Sequence, residues 1–194
     1  MRALVLGNGI SRLNRLLPQN CDAVWACNLA FKHNVHADYI VSTDAHRQHE
    51  IWMSGYAQEK NCFFLDWTPI PANRELPDTL RDSGFKVIAN EYREGMMVMS
   101  GWQNTMYVTF LGEQQGLITN VNMRELPRRF SSGGLAMWLA AKTGNDEILL
   151  AGFGDKKHVY REYIRGPDEP HIDHWQKERD FIINHFKEIE WRYI

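Results

Sequence analysis

The sequence has few cysteines, no long hydrophobic run and almost no excess charge. Three cysteines in 194 residues are too few and too scattered for a disulfide framework or a zinc ribbon. Lys and Arg total 22 against 24 Asp and Glu, so we expect no nucleic-acid partner that needs a broad basic surface. No apolar run approaches the roughly 18 residues of a membrane-spanning helix, and the early glycines are untypical of a signal peptide. The sequence therefore predicts a cytoplasmic protein without a membrane span.

Strand-like and helix-like segments alternate along the whole sequence, which is typical of an α/β fold. We expect a single Rossmann-like domain over residues 1–194, with a mostly parallel sheet flanked by helices. The predicted strands are residues 2–6, 22–27, 37–42, 62–67, 85–89, 146–152 and 189–194. The predicted helices are residues 11–17, 45–60, 102–114, 131–144 and 174–187, and the Pro-rich stretch 68–77 is expected to be a loop.

A glycine-rich loop follows the first predicted strand. Gly7 and Gly9 allow a close backbone approach, Asn8 lies between them, and Ser11 is placed to cap the next helix and help to hold a phosphate. No Gly-Lys-Ser/Thr follows, so the loop is not a P-loop, and Arg12 stands where a dinucleotide fingerprint has its third glycine. The loop is a candidate nucleotide site, and a plain strand-to-helix turn without a ligand is the alternative.

Polar residues also follow the later predicted strands, where ligands of open parallel sheets bind. Asn28 ends the second strand and Asp44 follows the third. Two serines and two glycines open the helix near residue 131, where backbone amides can hold an anion. The candidate residues there are Ser131, Ser132 and Gly133, and an N-cap with glycines for helix–sheet packing is the alternative.

The segment 155–174 is rich in lysine, arginine, tyrosine and histidine and is predicted to be a lid that faces phosphate. A solvated charged loop is the alternative. Several His-x-x-His pairs occur in the chain, but zinc needs three or four converging ligands, so we predict no metal site. His171 or His174 is the better candidate for a general base.

Three segments together resemble a known family. LVLGNGISRL (residues 4–13) resembles the GNGPSL opening of bacterial sialyltransferases of glycosyltransferase family 42, and of the related motility-associated accessory factors and pterin diphosphokinases. RRFSSGGLAMWLAAKTGNDEILLAGFGD (residues 128–155) is similar to their Ser-Gly block, and AVWACN (residues 23–28) is similar to their strand that ends in Cys-Asn. The segments occur in the same order as in the family.

The resemblance implies a role for most of the candidate residues. A nucleotide-activated sugar would be held by the residues of the glycine-rich edge, with Asp155 following the last strand of that edge. Tyr160 and Tyr163 correspond to tyrosines that hydrogen-bond the departing phosphate, and His171 or His174 corresponds to the base. Enzymes of this kind need no metal. The nucleotide-binding residues implied or expected are Gly7, Asn8, Gly9, Ser11, Asn28, Asp44, Ser131, Ser132, Gly133 and Asp155.

The sequence alone leaves three possible functions. The first is a metal-independent glycosyltransferase that moves a sugar, CMP-linked by resemblance, onto a hydroxyl acceptor by direct displacement. The second is a pterin-type diphosphokinase that needs magnesium, with Asp44 and Asp155 as carboxylate ligands. The third is a nucleotide-binding module without catalysis. No cofactor beyond these ligands is expected, and a homo-oligomer is compatible with the sequence.

Overall fold

The computed structural model describes residues 1–14, 16–33, 35–70, 84–89, 95–111, 116–154 and 169–194. These residues confirm the α/β class, with parallel strands and flanking helices. They form two compact units. Unit 1 comprises Met1–Val41 and Phe130–Ile194, and unit 2 comprises Ser42–Arg129. The expected single domain stays a prediction. Within the described residues, no helix is long and apolar enough to cross a membrane.

Unit 1 is built on five parallel strands in the order β11-β10-β1-β2-β3. The central strand β1 pairs with β10 on one side and with β2 on the other, so that Val5 lies between Leu150 and Trp25. Its residues are almost all apolar because both faces of a central parallel strand are covered. The strands are β1 (Arg2–Leu6), β2 (Ala23–Cys27), β3 (Tyr39–Ser42), β10 (Glu147–Ala151) and β11 (Glu190–Tyr193).

The described part of unit 1 contains two α-helices, α3 (Ser132–Lys142) and α4 (Glu169–His185). Helix α3 packs on β1 and β2 and also contacts α4. Its apolar face buries Trp138, whose ring stacks on Phe130 and meets Phe186 edge to face. Both helices and all five strands of unit 1 were predicted, with ends that shift by a few residues. Two 3-10 helices complete the described part of the unit, Ile10–Asn14 and Asn28–His33.

Unit 2 contains a parallel strand pair and a second, smaller sheet. The pair is β4 with β9, and the smaller sheet has the order β5-β7-β8-β6, with an antiparallel β7–β8 hairpin. The elements of the unit are α1 (Ala45–Met53), α2 (Tyr56–Glu59), β4 (Asn61–Leu65), β5 (Thr68–Ile70), β6 (Lys86–Ala89), β7 (Met97–Trp102), β8 (Thr105–Phe110), β9 (Ile118–Val121) and a 3-10 helix (Met123–Glu125).

Several sequence predictions about these elements were wrong. The described part of the helix expected over 102–114 is strand β8 with the end of β7, since TMYVTF is rich in β-branched and aromatic residues. The expected loop 68–77 begins with strand β5, which tolerates Pro69 because it lies at a sheet edge. The helix expected over 11–17 is only a short 3-10 helix. The helix expected over 45–60 is interrupted at Gly55, which has a positive φ of 83°.

Candidate functional site

The carboxyl edge of the unit 1 sheet contains a topological switch point. The chain runs from β1 to β2 and β3 on one side, whereas β10 and β11 lie on the other side of β1. The loops after β1 and β10 therefore start side by side. The amide of Gly7 donates to the carbonyl of Ala151 at 2.8 Å, and the amide of Gly9 donates to the carbonyl of Gly152 at 2.8 Å. Open α/β sheets bind ligands at such a point.

The two loops cross so closely that neither has room for a side chain at the crossing. A Cβ on Gly7 would lie 2.4 Å from the carbonyl oxygen of Gly152. A Cβ on Gly152 would lie 2.9 Å from the carbonyl oxygen of Gly7, and the φ of Gly152 is 73°. Glycine is thus required by the backbone itself at these positions. This close approach accounts for the glycines without a ligand, so the glycines alone do not choose between a ligand site and a plain turn.

The residues between and after the glycines differ in what they do. Asn8 has a side-chain oxygen that is shielded from solvent, and no donor among the described residues reaches it. Arg12 is buried and donates from its guanidinium to the carbonyl of Gly7 at 2.8 Å. A dinucleotide fingerprint has a glycine at this position, which allows close helix–strand packing. Ser11 lies within the 3-10 helix Ile10–Asn14, so the predicted α-helix cap was wrong.

The start of helix α3 meets the end of β2 through a buried side-chain pair. The hydroxyl of Ser132 donates to the Oδ1 of Asn28 at 2.9 Å, and both residues are buried. Asn28 has a φ of 52°, a left-handed conformation that asparagine adopts more readily than most residues. A Cβ on Gly133 would lie 3.2 Å from the ring of Phe153, which follows β10. The structure therefore brings Ser132 and Gly133 to the same edge as the glycine-rich loop.

The amino terminus of α3 already meets an anion of the chain itself, the carboxylate of Glu178 on α4. The amide of Ser131 donates to Oε2 at 3.0 Å and its hydroxyl donates to Oε1 at 2.7 Å, while the same hydroxyl caps the helix by accepting from Gly134. Glu178 is 1% exposed. A carboxylate at a helix amino terminus is stabilised by the helix dipole. The contact of Ser131 with a ligand phosphate stays a prediction.

Sequence reasoning missed Glu178, although one local signal pointed to it. Glu178 lies one helical turn after His174, and the two side chains come within 3.7 Å, from Nε2 to Oε2. The histidine is 53% exposed, whereas the glutamate is buried. Gly134 faces the carboxylate so closely that a Cβ there would overlap it. A glutamate four residues from a candidate base was visible in the sequence, but its partner at Ser131 was not.

The other predicted catalytic residues are only partly described. His171 belongs to helix α4, but its side chain lies outside the described residues. Asp155, Tyr160 and Tyr163 also lie outside them, as does most of the predicted lid. The end of that segment, residues 169–174, forms the first turns of α4. The roles of these residues stay predictions.

Asp44 belongs to unit 2, where it precedes helix α1. Its carbonyl accepts from the amides of Arg47 and Gln48, each at 2.9 Å, and its side chain makes no capping hydrogen bond. Within the part of the chain that the structure describes, no three His, Cys, Asp or Glu side chains converge on a point that could hold a metal ion. Asp155, the other predicted magnesium ligand of the diphosphokinase alternative, lies outside the described residues, so the pair stays a prediction.

The fold and the edge together define an α/β, Rossmann-like class, with a glycine-lined switch point and a buried Asn–Ser pair beside it. No protein-family model, curated protein or solved structure matches the chain. A functional proposal therefore rests on the residues of the switch point.

Proposed function

We propose that the chain is a glycosyltransferase that takes a sugar from a nucleotide-activated donor, with the nucleotide at the switch point of unit 1. The observation that carries this proposal is the adjacency of the loops after β1 and β10. The side-chain oxygen of Asn8, which no donor of the described residues reaches, lies at the place where parallel sheets bind nucleotides. A nucleobase amine or ribose hydroxyl supplies the donor that Asn8 lacks within the described chain.

His174 is the proposed general base. Its exposed ring accepts the proton of an acceptor hydroxyl, whose oxygen attacks the anomeric carbon of the donor. The bond from that carbon to the phosphate oxygen breaks, and its electron pair leaves with the nucleotide. Glu178 lies 3.7 Å from the imidazole and stabilises the protonated ring that results. Direct displacement of this kind inverts the configuration at the anomeric carbon.

The first experiment measures thermal unfolding with CMP, CDP, UDP, GDP, ATP or NAD, with and without magnesium. A ligand at 100 times its dissociation constant adds about 2.7 kcal/mol, which raises the melting temperature by roughly 5–10 °C for a chain of this size. We expect a metal-independent rise with CMP. Asn8→Ala should lose most of it, whereas Asn61→Ala, an exposed asparagine on β4, should keep it.

The outcomes of this experiment separate the alternatives. A rise only with ATP and magnesium would favour the diphosphokinase. If no nucleotide changed the melting temperature, the proposal that this edge binds a nucleotide would be wrong. A CMP-dependent rise that survives in Asn8→Ala would show that the nucleotide binds elsewhere.

The second experiment tests catalysis with CMP-linked sialic acid as the donor. We expect His174→Ala to reduce the release of CMP by roughly a hundredfold, because general-base catalysis of this kind contributes 10²–10⁴-fold. The CMP-dependent rise in melting temperature should remain. His36→Ala is the matched control, since His36 is 85% exposed in the same unit. Unchanged turnover in His174→Ala would transfer the assignment to His171, and no turnover in the wild type would favour a binding module.

A further inference from the structure

Helix α1 packs against the smaller sheet of unit 2 through polar side chains. The face of the sheet that meets the helix carries Ser100 on β7 and Thr109 on β8. The hydroxyl of Ser100 donates to Oε1 of Gln48 at 2.8 Å, and Nδ1 of His49 lies 2.7 Å from the hydroxyl of Thr109. Gln48 also donates to the carbonyls of Ser42 and Leu65, at 2.9 and 2.8 Å, so its amide has partners within the unit.

The outer end of the same face forms a cluster of rings. The ring of His46 stacks on Trp102 with centroids 4.3 Å apart, and Tyr107 lies beside both His46 and His49, at 6.3 and 5.7 Å. Trp102 is 37% exposed although it is a large aromatic residue. It occupies the last pair of the β7–β8 hairpin, opposite Thr105.

The cluster contains a polar atom that lacks a partner. The Nδ1 atom of His46 is shielded from solvent, and no hydrogen-bonding group of the described residues reaches it. Burial lowers the pKa of His46, an effect that Arg47 increases and that Asp44 and Glu50 oppose. Burial also lowers the pKa of His49. Both rings are therefore neutral at pH 7, and a neutral imidazole offers one donor and one acceptor.

The chemistry of the cluster restricts the ligand. A metal ion needs more ligands than two imidazoles, and no third His, Cys, Asp or Glu joins them among the described residues. Neutral rings give an anion no charge to pair with. An uncharged sugar fits better, since its C–H face packs on an aromatic ring and its hydroxyls both donate and accept hydrogen bonds. We propose that the Trp102–His46 cluster of unit 2 is a binding site for an uncharged carbohydrate.

Saturation-transfer NMR on the whole chain tests this site, with lactose, cellobiose or N-acetylglucosamine at millimolar concentration. We expect transfer to at least one of these sugars in the wild type. Loss of one stacking ring should weaken binding about fivefold, so Trp102→Ala should reduce the signal by a similar factor. Phe85→Ala is the matched control, because Phe85 is an aromatic residue of the same unit with 40% exposure.

A second variant separates stacking from hydrogen bonding. His46→Phe keeps a ring on Trp102 but removes both ring nitrogens, so it should also weaken the signal. If Trp102→Ala fails to show a native circular dichroism spectrum, the signal of His46→Phe is compared with that of Phe85→Ala instead. The proposal is overturned if the wild type shows no transfer to any of the sugars, or if the tryptophan and histidine variants match Phe85→Ala. Transfer to CMP that depends on Trp102 would also overturn it, because the ligand would then be an anion.

Discussion

Gly7 is the residue that the switch point constrains most strongly. Gly7→Ala would place a Cβ 2.4 Å from the carbonyl oxygen of Gly152, and that oxygen belongs to backbone fixed by two hydrogen bonds across the crossing. We expect the variant to lower the free energy of unfolding by roughly 2–4 kcal/mol, as overpacking against rigid backbone does. Urea denaturation followed by circular dichroism measures the change.

Gly101→Ala is the control for that substitution. A Cβ on Gly101 would meet only the end of the Met106 side chain, at 3.5 Å, so its effect should stay within about 0.5 kcal/mol. If Gly7→Ala unfolded at the same urea concentration as Gly101→Ala, the two loops would not cross as closely as the structure has them.

Single residues of the edge were predictable where the chain itself restricts the choice. Gly7 and Gly9 were identified from glycine chemistry alone, and their close approach to β10 explains why. Glu178 was not identified, because its partner Ser131 lies 47 residues earlier in the sequence. A buried carboxylate on a helix looks like any surface glutamate until the element that covers it is known.

Whole elements were predictable where hydrophobic runs are continuous. Strands β1 and β10 are buried along most of their length, so RALVL and EILLA are recognisable as central parallel strands without further information. The smaller sheet of unit 2 was missed except for β6. Its strands β7 and β8 are half-buried, and MVMSGW mixes glycine, serine and methionine without a clear alternation. Pairing across the hairpin, which is not a local property, determines that they are strands.

At the scale of the whole molecule, the α/β class and its parallel strands were predicted correctly, whereas the division into two compact units was not anticipated. Alternation of strands and helices is a repeating pattern that a sequence displays directly. A compact unit depends instead on which distant segments pack together. Unit 1 joins residues from both ends of the chain, Met1–Val41 and Phe130–Ile194, and composition changes at neither boundary.

The stability of the whole chain should depend on pH through two histidines of unit 2. Burial lowers the pKa of His46 and of His49 below the ordinary value of 6.5. As the pH falls through that value, the unfolded chain therefore takes up protons before the folded chain does. The contribution of these two rings to the free energy of unfolding should be constant above about pH 7.5 and decrease below it. The slope is at most about 1.4 kcal/mol per pH unit for each ring, and the decrease ends once the folded rings are protonated.

Denaturation by urea at a series of pH values between about 8 and 5.5, above the range where carboxylates titrate, measures this dependence. His46→Phe and His49→Gln should each flatten the curve, because each removes one buried imidazole from the difference between the folded and unfolded chains. His36→Gln should leave the curve unchanged, since His36 is 85% exposed. A wild-type stability that rises as the pH falls would mean that these rings gain a proton on folding. The description of the two histidines between α1 and the smaller sheet as neutral would then be wrong.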